Sequence, residues 1–281
     1  MRKFFSLLLN STASVFKNYN GRLAFKLLCK VKRTHKEESA NSFLDAATQT
    51  KLHSEGFEGT VYKLGTGSKN ILFLHGWKSH SARWAPVVEL LDLEEFTCYA
   101  LDAPAHGRSA GDSMHLEIYR KFVVQIVEEA GGMHAVVAHS LGGLITAYAF
   151  LANPQLPVNR FIITGAPAGM QSIYDFFQYI VKLNSLVMEN LDRHISSRVT
   201  KIPAKQIRLE AFFEKVENPV LVIHDQEDRI CPIGPIKSAA AMNSRIQTFY
   251  TDGLGHDLKS VVVYRRMAEF LGENSAANTG S

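Results

Sequence analysis

Cysteine is scarce in this 281-residue chain: Cys29, Cys98 and Cys231 stand far apart and form no CxxC pair. Such an odd, scattered set excludes a disulfide scaffold and a paired-thiolate zinc site, and suits reduced thiols in a reducing compartment. No apolar run approaches the roughly 18 residues that a membrane-spanning helix requires. HExxH is absent, so helix-borne zinc hydrolysis has no support. The Gly-rich turn that precedes a helix has the wrong spacing for a dinucleotide or phosphate-binding loop. Acidic residues are missing from the first 36 positions, which hold nine of the 31 Lys and Arg residues. The 22 basic residues that remain face 27 acidic ones, so the body is net −5 although the whole chain is +4. A basic body that tracks nucleic acid is excluded. With 46% apolar and 21% charged residues, the composition is that of a globular chain long enough for one large core.

The arm, with its linker, spans residues 1–50. Its apolar stretch Phe4–Leu9 is short for a signal peptide. Basic residues interleave with Val15, Phe16, Leu23, Phe25, Leu27 and Leu28, the pattern of a helix at a membrane surface. The plain expectation is an N-terminal helix packed loosely on the body with its lysines in water. Peripheral membrane contact through residues 1–36 is the second reading, and export the third. The expected location is the cytoplasm.

Beyond the arm, Glu37–Lys51 reads as a polar linker or short helix. Gly59–Leu64 reads as a strand, and Ile71-Leu72-Phe73-Leu74 is a short apolar run of the kind buried on both faces of a parallel sheet. Similar runs recur at 97–101, 135–138, 161–164, 219–223 and 247–251, with helical patterns between them such as 116–130 and 144–152. The fold class expected is α/β, with a mostly parallel central sheet, helices on both faces and an inserted helical cap. The core spans residues 51–169 and 218–271, and the cap 170–217, where Ile173, Phe176, Phe177, Ile180 and Val181 repeat at helical spacing. Residues 272–281 are small and polar, a flexible tail.

Ligands of such sheets bind beyond the carboxyl ends of the strands, so the turns there carry the chemistry. They read Leu74-His75-Gly76-Trp77, then Asp102-Ala103-Pro104-Ala105-His106-Gly107-Arg108-Ser109, then Ala138-His139-Ser140-Leu141-Gly142-Gly143. Two more follow, Asp228-Arg229-Ile230-Cys231-Pro232 and Gly255-His256-Asp257. Together, over about residues 56–271, they resemble the α/β-hydrolase family. A serine alone could be a helix N-cap; five motifs in family order make Ser140 the candidate nucleophile on a strand-to-helix elbow. Ala138 stands where the family usually has glycine. The resemblance implies His256 as base and Asp228 as the acid that orients it, with Asp225 and Glu227 as close rivals.

His75, His106 and His139 are expected to be structural, His139 pointing away from the site, and Asp102 to brace its loop. The backbone N–H groups of Leu141 and Trp77 would form the oxyanion hole, with Trp77, Phe176 and Phe177 as substrate-binding walls. Serine at position 140 argues against the family's aspartate-nucleophile dehalogenases and epoxide hydrolases. The expected function is a serine hydrolase that cleaves an ester, thioester or amide of a small apolar substrate, with no cofactor and no metal. Carboxylesterase, monoacylglycerol lipase, thioesterase and proline-type aminopeptidase chemistries share these residues. The alternative is a non-catalytic binding protein on the same fold.

Overall fold

The computed structural model describes residues 2–32 and 41–273. The arm forms α1 (Arg2–Thr12) and α2 (Lys17–Cys29). Next come α3 (Ser42–Ala46), β1 (Thr48–Ser54), β2 (Phe57–Leu64), β3 (Lys69–Leu74), α4 (Ala85–Val88) and β4 (Phe96–Asp102). The centre of the chain holds α5 (Leu116–Glu129), β5 (Ala135–His139), α6 (Leu141–Ala152) and β6 (Phe161–Thr164). Three helices, α7 (Met170–Val181), α8 (Ser185–Arg198) and α9 (Leu209–Lys215), precede β7 (Val220–Asp225). The chain then runs through α10 (Gly234–Ala240), β8 (Ile246–Thr251) and α11 (Val261–Gly272).

The eight strands make one sheet in the order β1-β2-β4-β3-β5-β6-β7-β8. β4, β3, β5, β6, β7 and β8 pair in parallel, whereas β1 and β2 pair antiparallel with each other and β2 antiparallel with β4. Side chains alternate across a strand, which gives the sheet two cores. Leu72 and Leu74 of β3 and Val136 and Ala138 of β5 face α5, α6 and α7–α9. Ile71 and Phe73, with Ala135 and Val137, face α3, α4 and α11. A strand buried on both sides needs an unbroken apolar run, and that is how these strands read in sequence.

Two features of the N-terminal region differ from expectation. Within 37–51 the short helix that the sequence allows is α3, but β1 also begins there, at Thr48, so the first segment ends inside the sheet rather than before it. β1 is a polar edge strand in which only Leu52 is buried, and an edge strand with one covered residue carries almost no hydrophobic alternation. Residues 33–40, which hold the rest of the linker, and 274–281, most of the tail, lie outside the described residues.

The arm is also not loosely packed. Leu9, Ala13 and Ala24 are fully buried, and α2 runs so close to α8 that a Cβ on Gly21 would lie 2.3 Å from the Asn190 carbonyl oxygen. Buried Asn20 donates to the Leu9 carbonyl at 2.8 Å, and Asn190 to that of Ala13 at 2.9 Å. Past α2, the Val31 N–H donates to Asp112 O and the Met114 N–H to Cys29 O. The small residues that permit this approach have no hydrophobic signature, which hid the contact in the sequence.

Candidate active site

Ser140 stands between β5 and α6 with φ +53° and ψ −121°, a region that non-glycine residues occupy only under strain, of order 1–3 kcal/mol. Small neighbours make the turn possible. A Cβ on Gly142 would lie 2.7 Å from the Leu74 carbonyl oxygen, one on Gly143 2.7 Å from Ala166 Cβ, and one on Gly76 2.8 Å from Ser140 Cβ. Upstream, Ala138 is buried in the sheet core and its methyl group is accommodated.

Three chain segments converge on that serine. His256 Nε2 lies 2.9 Å from Ser140 Oγ, and His256 Nδ1 lies 2.8 Å from Asp228 Oδ2. An ionised carboxylate only accepts, so Nδ1 carries the proton and Nε2 is left to accept from the serine hydroxyl. The Asp228 side chain is fully buried while that of His256 keeps 16% exposure. Asp228 Oδ1 accepts from the N–H groups of Ile230 and Cys231 at 2.8 and 2.9 Å. Burial opposes ionisation of Asp228, but the His256 hydrogen bond and these backbone donors outweigh it and hold the carboxyl below its usual range.

The rival carboxylates are placed elsewhere. Asp225 ends β7 and accepts from Thr251 Oγ1 at 2.7 Å and from the Leu254 N–H at 3.0 Å, tying the two loops that carry Asp228 and His256. Glu227 is exposed. Asp102 is a brace: Oδ1 accepts from the Ser81 N–H, and Oδ2 from the Tyr62 hydroxyl and the Arg108 N–H. Gly107 follows that acid so closely that a Cβ would meet its carboxylate at 2.0 Å.

His75 Nε2 accepts from the Ala103 N–H at 3.0 Å, which leaves Nδ1 to donate to the Gly76 carbonyl at 2.7 Å. Burial lowers its pKa to about 3, with the neighbouring His106 adding to the effect. His106 approaches the Pro104 carbonyl through Nδ1 and sets its ring against Trp77, with centroids 5.4 Å apart.

His139 does not point away from the site. Its ring packs 5.0 Å from that of His256, and its Nδ1 meets Thr164 Oγ1 at 3.1 Å. Strand alternation would put adjacent residues on opposite faces, but the positive φ at Ser140 breaks that alternation. Burial keeps His139 neutral, its pKa well below 6.5. His224, which the sequence presents only as a strand residue, sits beneath the acid. Its Nε2 donates to the Cys231 carbonyl at 2.7 Å and lies 3.5 Å from Asp228 Oδ2. A histidine closing a buried apolar strand four residues before Asp228 was the available signal.

Among the described residues, the N–H groups of Trp77 and Leu141 have no intramolecular hydrogen-bond acceptor. Leu141 opens α6, where the helix dipole favours negative charge. Asp228, Cys231 and His256 bring ligand-type atoms within 4.8 Å of one another. Two of them are already hydrogen-bonded to each other, and burial pushes the Cys231 thiol up to about 12. On α7, Phe177 is buried in the core while Phe176 is 62% exposed. Consecutive helix positions lie about 100° apart, so the two rings face different surroundings.

An alcohol, an imidazole and a buried carboxylate in one hydrogen-bonded line, beside two unengaged N–H groups, can perform nucleophilic attack on a carbonyl. The profile of the serine aminopeptidase S33 family matches residues 66–211, more than half of the chain. The chain belongs to this family. Its α/β-hydrolase fold is shared by Est1E from Butyrivibrio proteoclasticus, at a TM-score of 0.62 and 18% identity over 79% of this chain and 97% of that one. In sequence it is similar to pimeloyl-[acyl-carrier protein] methyl ester esterases. It is 26% identical to that of Xanthomonas axonopodis pv. citri over 224 residues, covering 66% of this chain and 87% of the relative. It is 30% identical to that of Edwardsiella ictaluri over 105 residues, covering 37% of this chain. That second match spans 39% of the relative's length.

Proposed function

We propose that the protein hydrolyses carboxylic esters through an acyl-enzyme, with Ser140 as nucleophile, His256 as general base and acid, and Asp228 as the group that orients and stabilises the imidazole. The observation that carries this reading is the unbroken line Asp228–His256–Ser140, with contacts of 2.8 and 2.9 Å, at a strained turn. His256 Nε2 takes the proton of Ser140 as Oγ bonds to the carbonyl carbon. The carbonyl oxygen becomes an anion that accepts from the N–H groups of Leu141 and Trp77; one such donor lowers the barrier by about 2.7–4 kcal/mol. Collapse breaks the ester C–O bond, and His256 returns the proton to the departing alkoxide. Water then repeats the sequence on the acyl-serine, releasing the acid and restoring Ser140.

Relatives that act on methyl esters support an ester over an amide. We take residues 170–217, which hold α7–α9, as the cap over the reacting group, with Trp77 as one apolar wall. The free, buried thiols of all three cysteines suit the reducing cytoplasm.

The test is Ser140→Ala against turnover of p-nitrophenyl acetate and butyrate, with fluorophosphonate labelling of the unaltered protein. Turnover is expected to fall at least about 10³-fold with the thermal melt retained, and the label to attach to residue 140. A folded variant with undiminished turnover sinks the assignment. Absence of a covalent adduct on the unaltered protein favours the non-catalytic binding protein instead.

A further inference from the structure

We propose that the α1–α2 hairpin, continued by the outer face of α7, docks the protein on an anionic lipid bilayer. The hairpin buries one side against α8 through Leu9, Ala13, Asn20 and Ala24. Its other side is unusually apolar. Phe4, Leu7, Val15, Phe16 and Tyr19 are between 55% and 72% exposed, and they include five of the twelve exposed large hydrophobics among the described residues. On α7, Phe176 and Tyr179 are likewise 62% and 79% exposed, with Asp175 the exposed acid beside them. The two pieces are fastened together, since Ser6 Oγ and Asn10 Nδ2 donate to the carbonyl of Lys182 at the C-terminus of α7.

Charge identifies the occupant. Lys3, Lys17, Arg22, Lys26, Lys30 and Lys32 are exposed on or beside the hairpin, and no Asp or Glu occurs before Glu37. Among the described residues, Lys30 has one carboxylate 4.0 Å away at Asp112. Between α2 and α8 lies a groove of about 490 Å³ lined by Tyr19, Arg22, Arg193, His194 and Arg198, with Glu189 the exposed acid one turn from Arg193. Three guanidinium groups beside an aromatic ring offer forked donors to a phosphodiester. Exposed rings beside cationic side chains are what an anionic interface binds.

Other occupants fit worse. Residues 33–40 and 274–281 contain no aromatic or large aliphatic side chain, so neither stretch can supply an apolar cover. A second copy joined hairpin to hairpin by two-fold symmetry would bring basic faces together.

The experiment is vesicle co-sedimentation of the full chain. Binding is expected to phosphatidylcholine vesicles that contain phosphatidylglycerol, to be weak on pure phosphatidylcholine, and to fall away as salt approaches about 1 M, where the Debye length is about 3 Å. A basic residue at such a surface is worth roughly five-fold in partition, so K17E/K26E is expected to lose at least about 25-fold, and F4S/F16S to lose binding at every salt concentration. Turnover of a soluble short-chain ester is expected to be unchanged in both variants, because neither touches the serine site. Failure of the unaltered chain to sediment overturns the proposal. So does equal binding to uncharged vesicles, or a concentration-dependent dimer that the same substitutions abolish in the absence of lipid binding. Ser140→Ala is expected to bind vesicles normally, so loss of esterase activity and loss of docking are read separately.

Discussion

The positive φ of Ser140 is the residue-level feature from which the site geometry follows. It directs Oγ toward His256, on the same side as the His139 ring that packs against that imidazole. The family resemblance of their turns points to Ser140, His256 and Asp228 as candidates, with Asp225 and Glu227 left as rivals for the acid. The partners of those residues were harder to see. His224 and Thr164 read as ordinary strand positions, and only packing brings them to Asp228 and His139. Asp228→Asn is expected to preserve the fold and to lower kcat by about 10³–10⁴-fold, because the amide presents a donor to Nδ1 and stabilises the wrong tautomer. A steady-state assay on a short-chain ester reads this directly; a loss confined to KM would return the acid's role to Asp225.

At the level of elements, the site depends on how closely α6 crosses β3. Gly142 lies over the carbonyl groups of Leu74 and His75, and a Cβ there would come within 2.7 and 2.9 Å of them. Backbone atoms cannot swing aside as a long side chain can. Gly142→Ala is therefore expected to destabilise the fold by about 1–3 kcal/mol and to displace Leu141, whose N–H would face the oxyanion. Urea melts and kcat together check this, and an unchanged midpoint would contradict the close crossing. The helices were legible where their apolar faces repeat, as in α5 and α7. β1 was not, since an edge strand with a single buried residue resembles a loop, and α2 was only half legible because small residues make its contact with α8.

Over the whole molecule, buried histidines couple stability to pH. His75, His139 and His224 are each held neutral, chiefly by burial, so their folded pKa values lie below the usual 6.5, that of His75 at about 3. Below pH 6.5 the unfolded chain takes up protons that the folded one refuses. Stability is therefore present in full above that pH and is lost as pH falls; His75 alone contributes about 1.4 kcal/mol per pH unit from there down to its folded value of about 3. Asp228, whose folded pKa is depressed, adds a loss at lower pH, below its unfolded value. Urea midpoints are expected to drop steeply between pH 6.5 and 4 and to stay level between pH 7 and 8. A flat profile through pH 5 would mean that these histidines protonate in the native state.

The amino-acid order by itself marked the central strands and the rim of the sheet, because apolar periodicity and turn composition are local properties, and its resemblance to the α/β-hydrolase family pointed to Ser140, Asp228 and His256 as candidates there. Tertiary structure decided what local pattern cannot encode. It put Asp228 rather than Asp225 against His256 where two loops meet, brought Ser140 to the same side as His139 through one strained torsion, and separated Phe176 from Phe177 by burying one face of a helix. It also seated the basic arm on α8 through small residues, leaving its aromatic side open to solvent. Each of these outcomes rests on distances between segments far apart in the chain, which only close packing sets.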